Sequence, residues 1–323
     1  MCVFCSQRAI SGVSSFVPEK ARDIIEEVLA GVREGAECEI AFFGGSFTGI
    51  DRDLMIRLLD LAEEYVSCGK VSGIRFSTRP DYIDEEIIGI LAGYTISAAE
   101  LGIQSFSDRV LSLSKRGHTS AQSEKAVKLL RDAGFSVVGQ MMVGLPGSSI
   151  EDEIETARRI CELGADAARI YPTVVFRNTE LCEMAEQGEY VPLTNEEAVR
   201  RSAAVLDVFV SYGVECLRIG LCESENLRSE TAVYAGANHP ALGEMVLGEL
   251  YYQRITEAFL GFDETQIRGR TVVIETSPGE ISKAVGQKKS NKERILRNYP
   301  IRNIKFIENR SLKRYNILLS FQE

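Results

Sequence analysis

From residue 19 to about residue 214 one pattern repeats: an amphipathic segment, a short apolar run, then a polar or glycine-rich stretch. The segments "EKARDIIEEVLAGVREG", "RDLMIRLLDLAEEYVSCG", "DEEIIGILAG", "SEKAVKLLRDAGF", "IEDEIETARRICELGAD" and "NEEAVRRSAAVLDVFVSYG" space apolar residues by three and four, the period of a helix with one buried face. Between them lie "EIAFF", "GIRFS", "TISAAELGIQ", "SVVGQMMVG" and "AARIYPTVV", which read as buried strands. Helix and strand in alternation predict an α/β fold with a parallel sheet. The stretches "GGSFTG", "TRPD", "QSFSD", "GLPGSS" and "FRNTEL" all follow strands, and barrels of this kind build their sites from the loops at strand C-termini. Residues 1–220 are therefore expected to form a (β/α) barrel or part of one.

After residue 220 the rhythm changes. A helical connection is expected over 221–265, around "HPALGEMVLGELYYQRITEAF", and a small basic α/β unit over 266–323. The net charge of −10 is unevenly spread. Residues 283–314 hold eleven Lys and Arg against two Asp and Glu, a local +9 behind a body of −19. Such a block suits either a nucleic-acid contact or a solvated face.

The chain opens "MCVFCSQ" and carries eight cysteines, at 2, 5, 38, 68, 161, 182, 216 and 222. No signal-like start or long apolar run accompanies them, so they read as thiols or metal ligands and the expected compartment is the cytoplasm. Taken alone, the Cys2–Cys5 pair suits half a zinc site, a redox pair or two ligands of an iron–sulfur cluster. A zinc site expects a second pair, which the chain lacks, and a thioredoxin-type pair expects a preceding strand.

Six stretches in order, "CVFCSQ", "FFGGSFTG", "RFSTRPDYID", "ELGIQSFSDRVLSLSKRGHT", "VGLPGSS" and "RIYPTVVFRNTEL", resemble the radical S-adenosylmethionine enzymes, and among them the family of the Elongator catalytic subunit. The resemblance covers residues 1–185 and implies a partial, TIM-like (β/α)6 barrel. Cys2 and Cys5 match the second and third cysteines of the family's C-x-x-x-C-x-x-C motif. The first cysteine and first barrel strand are expected upstream of Met1. In the family, three thiolates hold a 4Fe–4S cluster whose free iron binds S-adenosylmethionine. Reductive cleavage then yields a 5′-deoxyadenosyl radical that abstracts hydrogen from substrate. The electron donor is expected to be a flavodoxin or ferredoxin. Cys38, ahead of a strand, belongs at the opposite barrel end and is not expected to substitute.

By the same resemblance Gly44, Gly45 and Ser46 meet the methionyl end of the cofactor, although a tight turn alone also favours glycine. Ser77 and Arg79 occupy a strand-end position touching its polar parts. Gln104 and Arg116 match residues on ribose and carboxylate, and an arginine fork suits the latter. Gln140, an amide in an apolar strand, needs a partner and is expected on the cofactor. Tyr171 and Pro172 match the segment that cradles adenine. His118 carries no firm role. "GLPG" lacks a phosphate-loop context and reads as a turn.

The family acts on tRNA, but its acetyltransferase domain has no counterpart in the hundred-odd residues after 220. Instead, strand, helix, Gly286-Gln287-Lys288-Lys289, helix and strand are similar to a KH module, which clamps about four nucleotides with a G-x-x-G loop. The second glycine is absent, while Lys288, Lys289 and Lys292 offer charge to phosphates. The expected function is a radical enzyme modifying RNA, with tRNA as the expected substrate. Alternatives are a radical enzyme on a small molecule, as in the coproporphyrinogen oxidase branch, and an RNA-binding protein without radical chemistry.

Overall fold

The computed structural model describes residues 2–5, 17–33, 35–221 and 231–322. Its larger sheet contains β1 (Glu39–Phe42), β2 (Gly73–Thr78), β3 (Ile96–Gln104), β4 (Val137–Val143), β5 (Ala167–Pro172) and β7 (Glu215–Ile219), in the spatial order β1-β2-β3-β4-β5-β7. Every neighbouring pair is parallel. The sheet curls into a half-barrel, as expected. Its sixth strand, β7, is one that the apolar-run reading leaves unassigned.

Helices α1 (Ala21–Ala30), α2 (Arg52–Ser67), α3 (Glu85–Leu91), α4 (Asp108–Leu113), α5 (Ser120–Asp132), α6 (Ile150–Glu162), α7 (Glu180–Glu186) and α8 (Asn195–Tyr212) link the strands. Their starts are written in the sequence. Asp51 and Asp84 accept the amides of Leu54 and Ile87, and Thr119, Ser149 and Thr194 close capping boxes with Gln122, Asp152 and Glu197. Gly213, at φ 72°, ends α8 in the left-handed conformation. Alternate strand residues, Ile74, Phe76, Leu101, Ile103, Met141, Val143, Ala168 and Ile170, join the main core beneath the helices.

The opposite, concave face is tiered. Ala98, Val138 and Ala167 form a small apolar cluster of their own. Arg75, Glu100, Gln140 and Arg169 make a charged tier joined by side-chain hydrogen bonds. The run "AARIYPTVV" is not one strand. At Thr173, whose N–H and hydroxyl both donate to the Val143 carbonyl, the chain leaves the sheet. There β6 (Val174–Phe176) pairs antiparallel with β8 (Val233–Gly236).

A second sheet, ordered β10-β9-β11, comprises β9 (Thr271–Thr276), β10 (Asn303–Glu308) and β11 (Ile317–Gln322). β9 runs parallel to β10 and antiparallel to β11. Between β9 and β10 lie α11 (Ile281–Val285), the Gly286–Lys289 loop and α12 (Ser290–Asn298), so the element order read from the sequence is present. Helix α9 (Leu242–Phe259), followed by the short α10 (Glu264–Ile267), serves both cores. Leu242, Val246 and Leu250 pack into the barrel core, whereas Tyr252, Ile255 and Phe259 pack under the small sheet. Each large apolar side chain so buried contributes about 1.5–3 kcal/mol. Among the described residues no helix is long and apolar enough to cross a membrane.

Candidate functional site

The Cys2–Cys5 turn sits on the rim where the barrel strands end. Its Cys5 N–H donates to the Cys2 carbonyl at 3.1 Å. Val3 is the anchor: its side chain is buried among Val175, Leu181 and Tyr190. Its N–H donates to Ser114 O, just after α4, and its carbonyl accepts from Leu181 N in α7. Two short helices that the sequence reading passes over thus fix two thiols in place. Cys2 is buried and Cys5 half-buried.

Arg116 converges on the same turn. Nη1 donates to Cys2 Sγ at 3.4 Å and Nη2 to the Gly102 carbonyl at 2.8 Å, while its buried Nε has no partner. Arg79 approaches nearby, its fork closed on Asp81 at 2.9 and 2.6 Å. The Asp81 hydrogen bond holds the Arg79 guanidinium above its ordinary pKa, with a smaller contribution from Cys2. Gly117, at φ 81°, gives Arg79 room, since a Cβ there would lie 2.8 Å from Nη2. Arg79, expected on the cofactor, is therefore largely committed to Asp81.

Gly44 (φ 102°) and Gly45 form the loop after β1, and a Cβ on either would meet nothing within 4 Å. The loop is held from beneath. Phe47 stacks on Phe42 at 4.5 Å, Ser77 Oγ donates to Gly45 O at 3.3 Å, and Thr48 bonds Thr78 at 2.7 Å. Ser46 stands at the start of the short turn Phe47–Gly49, where its carbonyl accepts from Gly49 N at 3.0 Å. What remains above Gly44 and Gly45 is open space. Gln104 ends β3 at φ 67°, beside a register shift, with its buried Oε1 unpartnered. A left-handed non-glycine residue costs about 1 kcal/mol or more, and such outliers gather at ligand sites.

Other expectations land differently. Gln140 Nε2 donates to Glu100 at 2.8 Å, so the partner its burial demands is a protein carboxylate. Tyr171 lies beside Arg169, and burial pushes its hydroxyl pKa up. Glu100 escaped the sequence reading. It is 1% exposed and held by Arg75 at 3.3 Å and Arg169 at 2.7 Å. The signal was there: Arg75, Glu100, Gln140 and Arg169 all interrupt apolar strands in the alternation that faces away from the helices. His118 is buried, with Nε2 3.2 Å from Ile103 O and Nδ1 unpartnered. Burial, reinforced by Arg116, lowers its pKa to about 4.

The "GLPG" stretch is a turn held by its own neighbours. Glu153 accepts from Gly144 N at 2.6 Å and from Ser148 Oγ at 3.0 Å, and Tyr190 donates to Gly144 O. Lys288 and Lys289 are exposed and Lys292 half-buried, all on the small unit. Their loop is strained, with Lys288 and Lys289 at φ 53° and 64°. Asn291 locks it to α9 by donating to Gly248 O at 2.7 Å. It borders a groove of about 680 Å³ lined in part by Glu197, Arg200, Glu249 and Arg294.

The rim therefore combines two thiols, two guanidinium groups, an unpartnered amide oxygen and an open glycine cradle. Among the described residues no group of three or more His, Cys, Asp or Glu is placed to hold a metal ion. Cationic arms beside thiolates, and free polar atoms beside an open loop, suit an anionic iron–sulfur cluster with a zwitterionic ligand next to it.

The family model of the Radical SAM superfamily matches residues 1–160, and that of the Radical_SAM C-terminal domain matches residues 165–252. The tRNA uridine(34) acetyltransferase of Methanocaldococcus infernus is 34% identical over 174 residues, 52% of this chain and 31% of that protein. Human Elongator complex protein 3 is 34% identical over 143 residues, 43% of this chain and 26% of that protein. The matched regions thus span about a third or less of these relatives. Among solved structures, archaeal Methanocaldococcus infernus Elp3 with an N-terminal deletion superposes with a TM-score of 0.60 at 27% identity, covering 73% of this chain and 63% of that one. Matched motif by motif and fold by fold, the chain belongs to the radical S-adenosylmethionine superfamily.

Proposed function

We propose that this protein is a radical S-adenosylmethionine enzyme that modifies RNA, most specifically tRNA. The observation that carries the reading is Arg116, which joins a strand-end carbonyl to the sulfur of Cys2 beside the unpartnered Gln104 oxygen. Cys2 and Cys5 would be two of the thiol ligands to a 4Fe–4S cluster. Gly44, Gly45 and Ser46 receive the amino-acid end of S-adenosylmethionine. Ser77 and Gln104 meet its polar groups, and the free Nε of Arg116 is available to its carboxylate. When bound, the cluster and cofactor supply a carbon radical able to abstract hydrogen. The protein's part is to orient the cofactor, and the buried Val3 that anchors the cysteine turn supports that role.

RNA as substrate is supported by the named activity of the first relative and by the basic small unit, where Lys288, Lys289 and Lys292 stand ready for phosphates. Anaerobic iron–sulfur reconstitution, reduction and assay of 5′-deoxyadenosine from S-adenosylmethionine test the radical half. Cofactor cleavage lost in Gln104→Ala and Arg116→Ala supports it. Silence from protein with verified cluster loading would sink it.

A further inference from the structure

The charged tier of the concave face is not balanced from one side to the other. Gln140, Arg169 and Arg218 stand in one row, because Gln140 of β4 is in register with Arg169 of β5, and Arg169 with Arg218 of β7. The register of β5 and β7 shifts just before this row and leaves Leu217 unpaired. Ile170 and Ile219, the next pair, both pack in the main core, so Arg218 faces the lumen with Arg169. Registered residues on neighbouring strands are rooted about 4.8 Å apart, and like charges so placed repel.

Among the described residues no carboxylate answers that repulsion. Glu100 accepts from Arg75 and Arg169 on one oxygen and from Gln140 on the other, and two strands lie between it and β7. Glu215 opens β7 in register with Ala167, and Arg218 makes no ion pair among the described residues. Donors, by contrast, are in surplus. Arg169 Nε is buried without a partner, and the guanidinium lies over the Phe43 ring, 5.9 Å from its centroid. Tyr171, two residues on and on the same face of β5, feels the charge of both arginines. Burial holds its phenol protonated, so the hydroxyl is a further donor. The Nη2 that would complete a side-on fork with Arg169 Nε is already given to Glu100, so a planar carboxylate is not gripped in full. Single donors arriving from two strands suit a tetrahedral oxyanion.

We propose that Arg169, Arg218 and Tyr171 form a phosphate subsite on the β5–β7 side of the lumen, with Arg169 Nε, the Arg218 guanidinium and the Tyr171 hydroxyl donating to one phosphate group. A nucleic-acid strand and a small phosphorylated reactant share this chemistry. The assignment goes beyond the radical reading and does not need it, since neither cluster nor S-adenosylmethionine takes part.

The test labels the full chain with phenylglyoxal, which modifies accessible arginines, and maps the sites by mass spectrometry. Inorganic phosphate is compared with chloride and acetate at equal ionic strength. Arg218 is exposed and is expected to label in chloride and in acetate. Near-saturating phosphate is expected to slow its labelling about five-fold or more, while Arg57, exposed on α2, labels equally in all three. Tyr171→Phe is expected to raise the half-protecting phosphate concentration about ten-fold, the loss of one hydrogen bond to a charged group. Glycerol phosphate and a short single-stranded RNA, matched in phosphate concentration, separate the two sources, and the stronger protector names the source. Equal protection by acetate, or none by any phosphate compound, overturns the subsite and leaves the radical assignment untouched. If the phenylalanine variant does not fold, the wild-type protection pattern decides alone.

Discussion

Arg116 reaches the sulfur of Cys2 across the space that residue 102 leaves empty. A Cβ on Gly102 would lie 2.5 Å from Arg116 Nη2 and 2.9 Å from Gln104 Nε2. One missing methyl group lets the guanidinium and the amide share the end of β3 while Arg116 grips the Gly102 carbonyl.

Gly102→Ala is therefore expected to push Arg116 off the cysteine turn. Overpacking of this kind costs about 1–3 kcal/mol, readable as a lower urea midpoint. The same variant is expected to retain less iron and sulfide after anaerobic reconstitution. Wild-type iron content would show that the Arg116–Cys2 contact is incidental.

His118 sets an acid limit on stability. Burial lowers its folded pKa to about 4, whereas the unfolded imidazole titrates near its ordinary value of about 6.5. Protons thus favour the unfolded chain: stability is complete above about pH 6.5 and declines as pH falls toward 4. The expected loss between pH 6.5 and 5 is on the order of 1–2 kcal/mol. Denaturation midpoints across that window should flatten in His118→Gln. An unchanged slope would move the acid sensitivity elsewhere.

Glu153 is 1% exposed and holds the turn after β4 to Arg201, whose Nε donates to it at 2.8 Å. Burial raises the Glu153 pKa, and Arg201 opposes that shift. Glu153→Gln keeps the shape but strands the Arg201 charge, at an expected cost of about 3 kcal/mol. Chemical denaturation reads this directly, and limited proteolysis within 144–149 is expected to accelerate. A neutral outcome would mean that Arg201 finds water.

Strain in the basic loop separates function from stability. Glycine at 288 and 289 removes the left-handed penalty and is expected to stabilise the chain by up to about 1–2 kcal/mol. It also removes two cations, so the slope of log affinity against log salt for single-stranded RNA is expected to fall by about 0.7 per lost phosphate contact. Greater stability with an unchanged salt slope would leave the lysines as a solvated face.

Much of this fold could be read from residue spacing, because helices and buried strands differ in period and capping residues mark where helices begin. β7 stayed hidden for a physical reason. It is an edge strand of the half-barrel, and "ECLRI" keeps Glu215, Leu217 and Arg218 exposed, so it lacks the apolar run of its buried neighbours. α4 and α7 are only six and seven residues long, about two turns, too short for periodicity to speak. At the site, Gln104 and Arg116 stood out because their chemistry is local to a motif. The partner of Gln140, Glu100, was not legible because it lies on another strand and in register with Val138. Only the curl of the sheet shows which polar residues meet.

Helix α9 has no neutral midpoint. Leu250 belongs to the barrel core and Tyr252, half a turn later, to the core of the small unit, while Tyr251 between them donates to Glu280 at 3.1 Å. The seam between the two units therefore runs through a helix rather than a linker. A cut after the helix does not separate them cleanly: a barrel ended near residue 260 keeps Tyr252, Ile255 and Phe259 as an oily stub, and a small unit begun there has lost the floor of its sheet. Shuffling the small unit onto another barrel requires carrying half a helix with it, and with that half comes the geometry that fixes where the basic loop points.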